Sequence, residues 1–418
     1  MSGNEQHGRR ALTIALVALH TSPLAAPGSG EAGGLNVYLK NTARELAALG
    51  HSIYLVTRKG HASLPDEQRV GEDVTAVYLK AGPVSPMSKA GSETLIEPFR
   101  DAFDKWISKR NDIDLIHSHH WFAGVAAIPV ARNHRIKHVQ SYHSLAAPEG
   151  TGLDGGEAAE SPGRIPGEQL IATASDRIVA VSQFEKDLIV ERCGADPAKV
   201  SIAAPGVEEI FKPAHRGGHA AGHLSHPTTD KPDSAGPYFV FAGRLHPLKG
   251  PDLILKALSL MTPDSRPRLI LTGDPASGYE HYLDELRDLV EHLGLETKVE
   301  RRSSLSREKL AELLQGAMFL VNPSHLETYG IINVEAQACG IPVIASKVGG
   351  MTESVLDGKT GYLIEERDPM TWTRYMERLV SNDELRHELG RNARAFALSR
   401  QWSDVAAELD VIYQGEAL

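Results

Sequence analysis

The feature that most restricts this chain is an alternation, repeated along most of its length, of short apolar runs with longer amphipathic ones. Strands arranged in parallel cannot be joined by tight turns, so this pattern predicts β-α-β units around parallel sheets. From position 11 to about 207 the strand candidates fall at 11–19, 52–57, 74–79, 113–117, 137–142, 177–181 and 200–203. Between the first two, Leu39, Ala43, Leu46, Ala47 and Leu49 recur at helical spacing and Gly50 stops the helix, which makes one complete unit.

Residues 214–237 interrupt the pattern with Gly, Pro, Ser and Thr and almost no large apolar side chain, which reads as a linker. Its histidines, His215, His219, His223 and His226, have a spacing that would suit a metal on a helix, but the intervening glycines argue for a solvated loop. The alternation then restarts, with strands at 238–242, 268–272, 297–300, 317–321 and 342–345 and helices at 251–261, 279–293 and 306–315. The tail, 371–418, reads as helices, with Trp402 near the start of the last. A length of 418 residues favours two or more domains. The expected division is a Rossmann-like domain at 1–213, a linker at 214–237, a second Rossmann-like domain at 238–395 and a C-terminal helix at 396–418. Two such halves place a cleft between the carboxyl ends of their sheets.

The formal charge of −10, without a dense basic block, argues against nucleic acid as a partner. Two cysteines, Cys193 and Cys339, exclude a disulfide framework and fit a reducing, cytoplasmic setting with both thiols buried. The run Ala11 to Leu19 is too short to span a bilayer, so no stable membrane insertion is expected. Arg9 and Arg10 ahead of an apolar stretch ending near Ala25 and Ala26 would also fit a signal peptide, but Thr13, Ile14 and Val17 favour a buried first strand. The oligomeric state is not legible, and a homodimer stays open.

Gly28, Gly30 and Gly33 match the dinucleotide pattern G-x-G-x-x-G, which admits a nicotinamide oxidoreductase. In that fold the first glycine follows the strand directly, whereas eight residues intervene here, and Arg58 and Lys59 stand where an acidic residue should end the second strand. An anion site formed by Gly33 and Gly34 at the start of the Asn36 helix is the better reading. In the second half Arg244 and Lys249 lie on the turn after the strand Tyr238 to Ala242, where two cations can clamp a diphosphate. After another buried strand, Glu327 and Glu335 stand eight residues apart around a loop and helix start, with Gly330 allowing close backbone approach. Carboxylates there suit hydroxyl groups rather than phosphate. A further pair, Gly349-Gly350, follows the strand ending at Ala345. Cations, amide-rich turns and hydroxyl-seeking acids together point to a sugar nucleotide.

These residues resemble the retaining glycosyltransferases of family 4, which share the two-domain α/β GT-B fold, over about Ala11 to Val380. Within that family the likeness is greatest to the mycothiol-pathway branch that transfers N-acetylglucosamine to D-inositol 3-phosphate. It rests on Gly33-Gly34-Leu35-Asn36-Val37-Tyr38, His117-Ser118-His119-His120-Trp121, His143-Ser144-Leu145-Ala146-Ala147 and Glu335-Ala336-Gln337-Ala338-Cys339-Gly340. The resemblance implies that Gly33, Gly34, Gly330 and Ile331 line the donor site and that Arg244 and Lys249 hold its diphosphate. It implies further that Glu335 takes the ribose hydroxyls and Glu327 those of the donor sugar, and that His143 sits beside the transferred group. His143, Glu327, Arg244 and Lys249 would then be catalytic. No metal and no cofactor are implied, since Arg244 and Lys249 replace the ion other sugar transferases use and the nucleotide sugar, UDP- or GDP-linked, is a substrate.

On the acceptor side the family meets a phosphate with Lys, Tyr, Thr and Arg, and here Lys89, His120, Ser144 and Arg164 align. Two cations are retained and two hydroxyls altered. Glu149 and an acidic insertion, Asp154 to Glu160, also appear, and added negative charge beside a phosphate is unfavourable. The implied acceptor is a small anion or zwitterion, with Lys89 and Arg164 on its anionic group and Glu149 near a cationic one. Antibiotic-pathway relatives offer a variant, the S-transfer of a GDP-octose to the betaine ergothioneine in a lincosamide-type pathway. Rival classes on similar folds are a pyridoxal-phosphate phosphorylase, a sugar-nucleotide epimerase, a nicotinamide dehydrogenase and a non-catalytic sugar-nucleotide binder. The last is disfavoured because both basic and both acidic motif positions are filled.

Overall fold

The computed structural model describes residues 10–25, 27–28, 32–214 and 236–415. Gly30, most of the expected linker and its four histidines lie outside them. The first half runs β1 (Thr13–Ala18), α1 (Gly34–Ala48), β2 (Ser52–Arg58), β3 (Glu67–Gly71), β4 (Val74–Leu79) and α2 (Ile96–Ile107). It continues with β5 (Leu115–His119), α3 (Trp121–His134), β6 (Lys137–Ser141), α4 (Arg164–Ala174), β7 (Arg177–Ala180), α5 (Gln183–Cys193) and β8 (Val200–Ile202). Its sheet has the order β3-β4-β2-β1-β5-β6-β7-β8, parallel throughout except for β3 against β4. β3 escapes a periodicity search because Glu67-Gln68-Arg69 is polar and exposed: it is an edge strand with nothing to bury.

The second half contains β9 (Tyr238–Ala242), α6 (Pro251–Leu260), β10 (Arg268–Thr272), α7 (Glu280–His292), β11 (Val299–Arg302), α8 (Arg307–Gln315) and β12 (Leu320–Asn322). α9 (Ile331–Ala338), β13 (Val343–Ser346), α10 (Met351–Ser354), β14 (Gly361–Ile364), α11 (Pro369–Ser381), α12 (Asp383–Leu398) and α13 (Trp402–Gln414) follow. The sheet order is β11-β10-β9-β12-β13-β14, all parallel. In each sheet the order reverses at its first strand, β1 between β2 and β5 and β9 between β10 and β12. Loops leaving the carboxyl ends at such a reversal diverge and open a crevice.

Large apolar side chains fill both faces of both sheets. Phe99, Phe103, Trp121 and Phe122 cover one face of the first, and Tyr38 of α1 and Trp402 of α13 cover the other. The last helix therefore crosses back from the second half and completes the core of the first. It is pinned there by a hydrogen bond between Tyr413 Oη and His117 Nδ1 of β5, 2.7 Å long. Cys193 and Cys339 are buried free thiols. No helix among the described residues is long and apolar enough to cross a membrane.

Candidate functional site

A cleft of about 340 Å³ lies between the two reversal points and takes its walls from both halves. On the first half, α1 begins at Gly34, where the Gly33 amide is fixed by Asn36 Oδ1 at 2.9 Å and Asn36 in turn holds the Ser22 carbonyl at 2.6 Å. A Cβ on Gly34 would touch Ile331 Cδ1 of the second half at 3.4 Å. The N-termini of α1 and α9 thus face each other across the cleft, and their unpaired amides favour an anion. Gly330, with φ of +88°, makes the sharp entry into α9.

The loops after β9 and β12 bring Arg244, Lys249 and Glu327 to the same wall. Lys249 Nζ donates to Glu327 Oε1 at 2.5 Å, and Ser324 Oγ donates to the same oxygen at 3.1 Å. Glu335 is 2% exposed and accepts from Arg307 Nη2 at 2.6 Å, while Arg307 also grips Glu208. Burial pushes the Glu335 carboxyl up, and Arg307 offsets only part of that rise. Arg307 and Glu208 carry no signal in the sequence that separates them from other charged surface residues. Gly349 and Gly350 are absent from the lining; they lie beneath the Glu327 loop, where the Gly350 amide donates to the Glu327 carbonyl at 2.9 Å. A Cβ on Gly350 would run into the Thr328 carbonyl. Gly350→Ala is therefore expected to cut turnover at least tenfold by displacing Glu327, at about 1–3 kcal/mol of overpacking; unchanged kinetics in the folded variant would contradict this.

Several histidines converge at the carboxyl ends of β1, β5 and β6. His143 Nε2 lies 2.8 Å from His119 Nδ1, and the His143 carbonyl accepts from Thr328 Oγ1 of the second half at 3.1 Å. His20 and His120 pack against each other with ring centroids 4.4 Å apart and their planes tilted by 44°. His120 and His143 adopt φ of +68° and +62°, strained for residues with a side chain and common at ligand sites. Desolvation lowers His20 and His143 to about 3 and His120 well below its ordinary value, so these imidazoles are neutral at physiological pH. Protonating them takes a pH far below 6.5, and turnover is expected to show no acid limb near that value. A limb there that vanishes in His143→Asn would contradict it.

Lys89, His120, Ser144 and Arg164 come together behind this cluster. Lys89 and Arg164 both reach Glu160 Oε2, at 3.6 and 2.5 Å, and Arg164 Nη2 donates to Ser144 Oγ at 3.1 Å. Arg164 is fully buried and also binds Glu168 at 2.9 Å. Glu149 is the exception. It is exposed on the turn after Pro148 and is absent from the cleft lining. Glu157 lines the cleft in its stead: the Ala147 amide donates to the Glu157 carbonyl at 2.8 Å, and this anchor swings the acidic insertion inward. Glu157 Oε2 accepts from Lys89 at 2.9 Å. Burial would raise its carboxyl, but Lys89, Arg244 and Arg164 outweigh that and hold it at about 2.

Among the described residues no group of three or more His, Cys, Asp or Glu side chains could hold a metal ion. The one short acidic doublet of the Asp-x-Asp type in the first half, Asp112-Ile113-Asp114, precedes β5 at the opposite edge of the sheet, where Asp114 binds Arg10 and the Thr13 amide.

Comparison with known proteins agrees with this architecture. Residues 32–209 match the family described as "Glycosyltransferase Family 4" and residues 227–396 the family "Glycosyl transferases group 1". The chain is 34% identical over 414 residues to a D-inositol 3-phosphate glycosyltransferase of Streptomyces bingchenggensis, covering 97% of this chain and 90% of that one. It is 34% identical over 409 residues to the protein of that name from Acidothermus cellulolyticus, covering 96% and 90%. Among solved structures, sucrose-phosphate synthase from Thermosynechococcus elongatus superposes with a TM-score of 0.83 at 25% identity, over 97% of this chain and 98% of that one. Anabaena HepE in complex with UDP and glucose superposes at 0.74 and 18% identity, over 97% and 100%, a likeness of fold. With both halves matched and identity above 30% along nearly the whole length, the chain belongs to the group 1 and family 4 glycosyltransferases of GT-B fold.

Proposed function

We propose that this glycosyltransferase moves a sugar from a nucleoside-diphosphate sugar to a small polar acceptor with retention of configuration and without a metal ion or cofactor. The observation that carries the reading is the pairing of Arg244 and Lys249 on one wall with the facing N-termini of α1 and α9. Two cations and two sets of unpaired amides suit a diphosphate and the charge that grows on it as the glycosidic bond breaks. Glu335, held by Arg307, suits the ribose hydroxyls, and Glu327, held by Lys249 and Ser324, suits those of the transferred sugar. With Glu327 tied up in this way, front-face substitution fits best: the leaving phosphate takes the acceptor's proton while the protein positions both substrates. The named relatives suggest an acceptor related to D-inositol 3-phosphate, and the resemblance to the mycothiol-pathway branch suggests a role in thiol or specialised metabolism.

A thermal-shift panel of UDP-, GDP- and TDP-sugars tests the donor. The right one at a hundredfold excess over its Kd should stabilise the protein by about 2.7 kcal/mol, and no response to any would contradict the reading. Chelator should leave turnover unchanged; activity lost to chelator and restored by magnesium would overturn the metal-free mechanism.

A further inference from the structure

The loop that carries Glu327 is tied to the first half as well as to its own sheet. Thr328, the next residue, donates from Oγ1 to the His143 carbonyl at 3.1 Å and accepts at its own carbonyl from Ser182 Oγ at 2.6 Å. Ser182 is fully buried at the start of α5 and accepts in turn from the Glu185 amide at 2.9 Å, so its hydroxyl is used in both directions. α10 closes the other side of the loop. Its Glu353 carboxylate accepts from the Gln183 and Phe184 amides at 2.9 and 3.1 Å, two donors that the first turn of α5 leaves without an intrahelical partner. A Cβ on Gly349 would run into the Glu327 carbonyl and reach Phe184 Cε1 at 3.1 Å, which shows how closely these layers lie. Four hydrogen bonds between the halves thus converge around the segment that holds Glu327, and all of them land on the turns after β6 and β7.

We propose that Thr328 and Glu353 are positioning residues for sugar transfer: they seat the Glu327 loop on the first half and so fix Glu327 against His143 across the transferred sugar. Thr328 acts through the backbone of His143, whose φ of +62° is a strained conformation that persists only where its surroundings hold it. Glu353 acts through α5, which carries Ser182 and with it the Thr328 carbonyl. Bonds that span the halves form only as the cleft closes. They therefore serve the step in which both substrates are enclosed and aligned, where a small misplacement is costly, rather than nucleotide capture, which falls chiefly to Arg244, Lys249 and Glu335 of the second half. This inference rests on the glycosyltransferase reading above.

The test is turnover of the nucleotide sugar that the thermal-shift panel selects, read as nucleoside diphosphate released with D-inositol 3-phosphate as acceptor and with water alone. Thr328→Val keeps the shape and loses the hydroxyl, and it should lower kcat about tenfold or more with the donor KM within about threefold of wild type. Thr328→Ser keeps the hydroxyl and should stay within about threefold of wild type in both constants. Glu353→Ala removes the second tie and should lower kcat about fivefold or more, again with little change in the donor KM. An unchanged kcat in Thr328→Val or Glu353→Ala, or a Thr328→Ser enzyme as slow as Thr328→Val, makes these contacts structural only and overturns the inference while leaving the donor site intact. A panel in which no nucleotide sugar binds would instead sink the parent reading.

Discussion

Arg244→Ala is expected to slow turnover roughly a hundredfold or more while the protein stays folded. Arg244 lies on the turn after β9 and lines the cleft, so its loss removes a cation from the leaving group and leaves the two strand cores untouched. An interaction that strengthens as negative charge develops is worth about 3 kcal/mol, two powers of ten in rate. Lys249→Ala should behave alike, with an added effect: it strips Glu327 of its 2.5 Å partner and lets that carboxylate drift from the donor sugar. Steady-state kinetics on both variants check this, and an Arg244→Ala enzyme with wild-type turnover would remove the clamp from the account.

The two acidic residues should part company by kinetic signature. Ribose is held alike in the ground and transition states, so Glu335→Ala should raise the donor KM, by about tenfold, with kcat little changed. Arg307 retains Glu208 in that variant, which keeps the buried cation paired and the fold intact. Glu327→Ala touches the group in flight and should lower kcat instead, by roughly tenfold to a hundredfold. The opposite pattern in the two variants would exchange the roles.

That the residues proposed to hold the donor converge on one cleft was legible in the sequence for a structural reason. Arg244, Lys249, Glu327 and the Gly33-Gly34 pair each follow directly, or within one loop, an apolar run whose period identifies a strand, and parallel strands deliver such loops to one edge. The arrangement of the residues proposed to face the acceptor was not. The insertion from Asp154 to Glu160 includes Gly155 and Gly156, and a loop of that composition has no period from which to read its path. Its acidity was visible, but which carboxylate turns inward depends on the anchor of Glu157 to Ala147, a contact between segments ten residues apart. Glu149 is in the same acidic neighbourhood and ends in solvent. The destination of α13 was equally hidden: helical spacing identifies Trp402, Val405 and Leu409 as an apolar face but not the core that receives it.

The central claim is that a diphosphate lies between the facing helix N-termini, under Arg244 and Lys249. It is tested most directly by a crystal structure of the protein with its preferred nucleoside diphosphate. The account predicts phosphate oxygens within about 3 Å of the Arg244 guanidinium, Lys249 Nζ and the α1 or α9 amides, with the ribose on Glu335. A nucleotide bound with its phosphates away from both cations, or with Arg307 rather than Glu335 on the ribose, would contradict it.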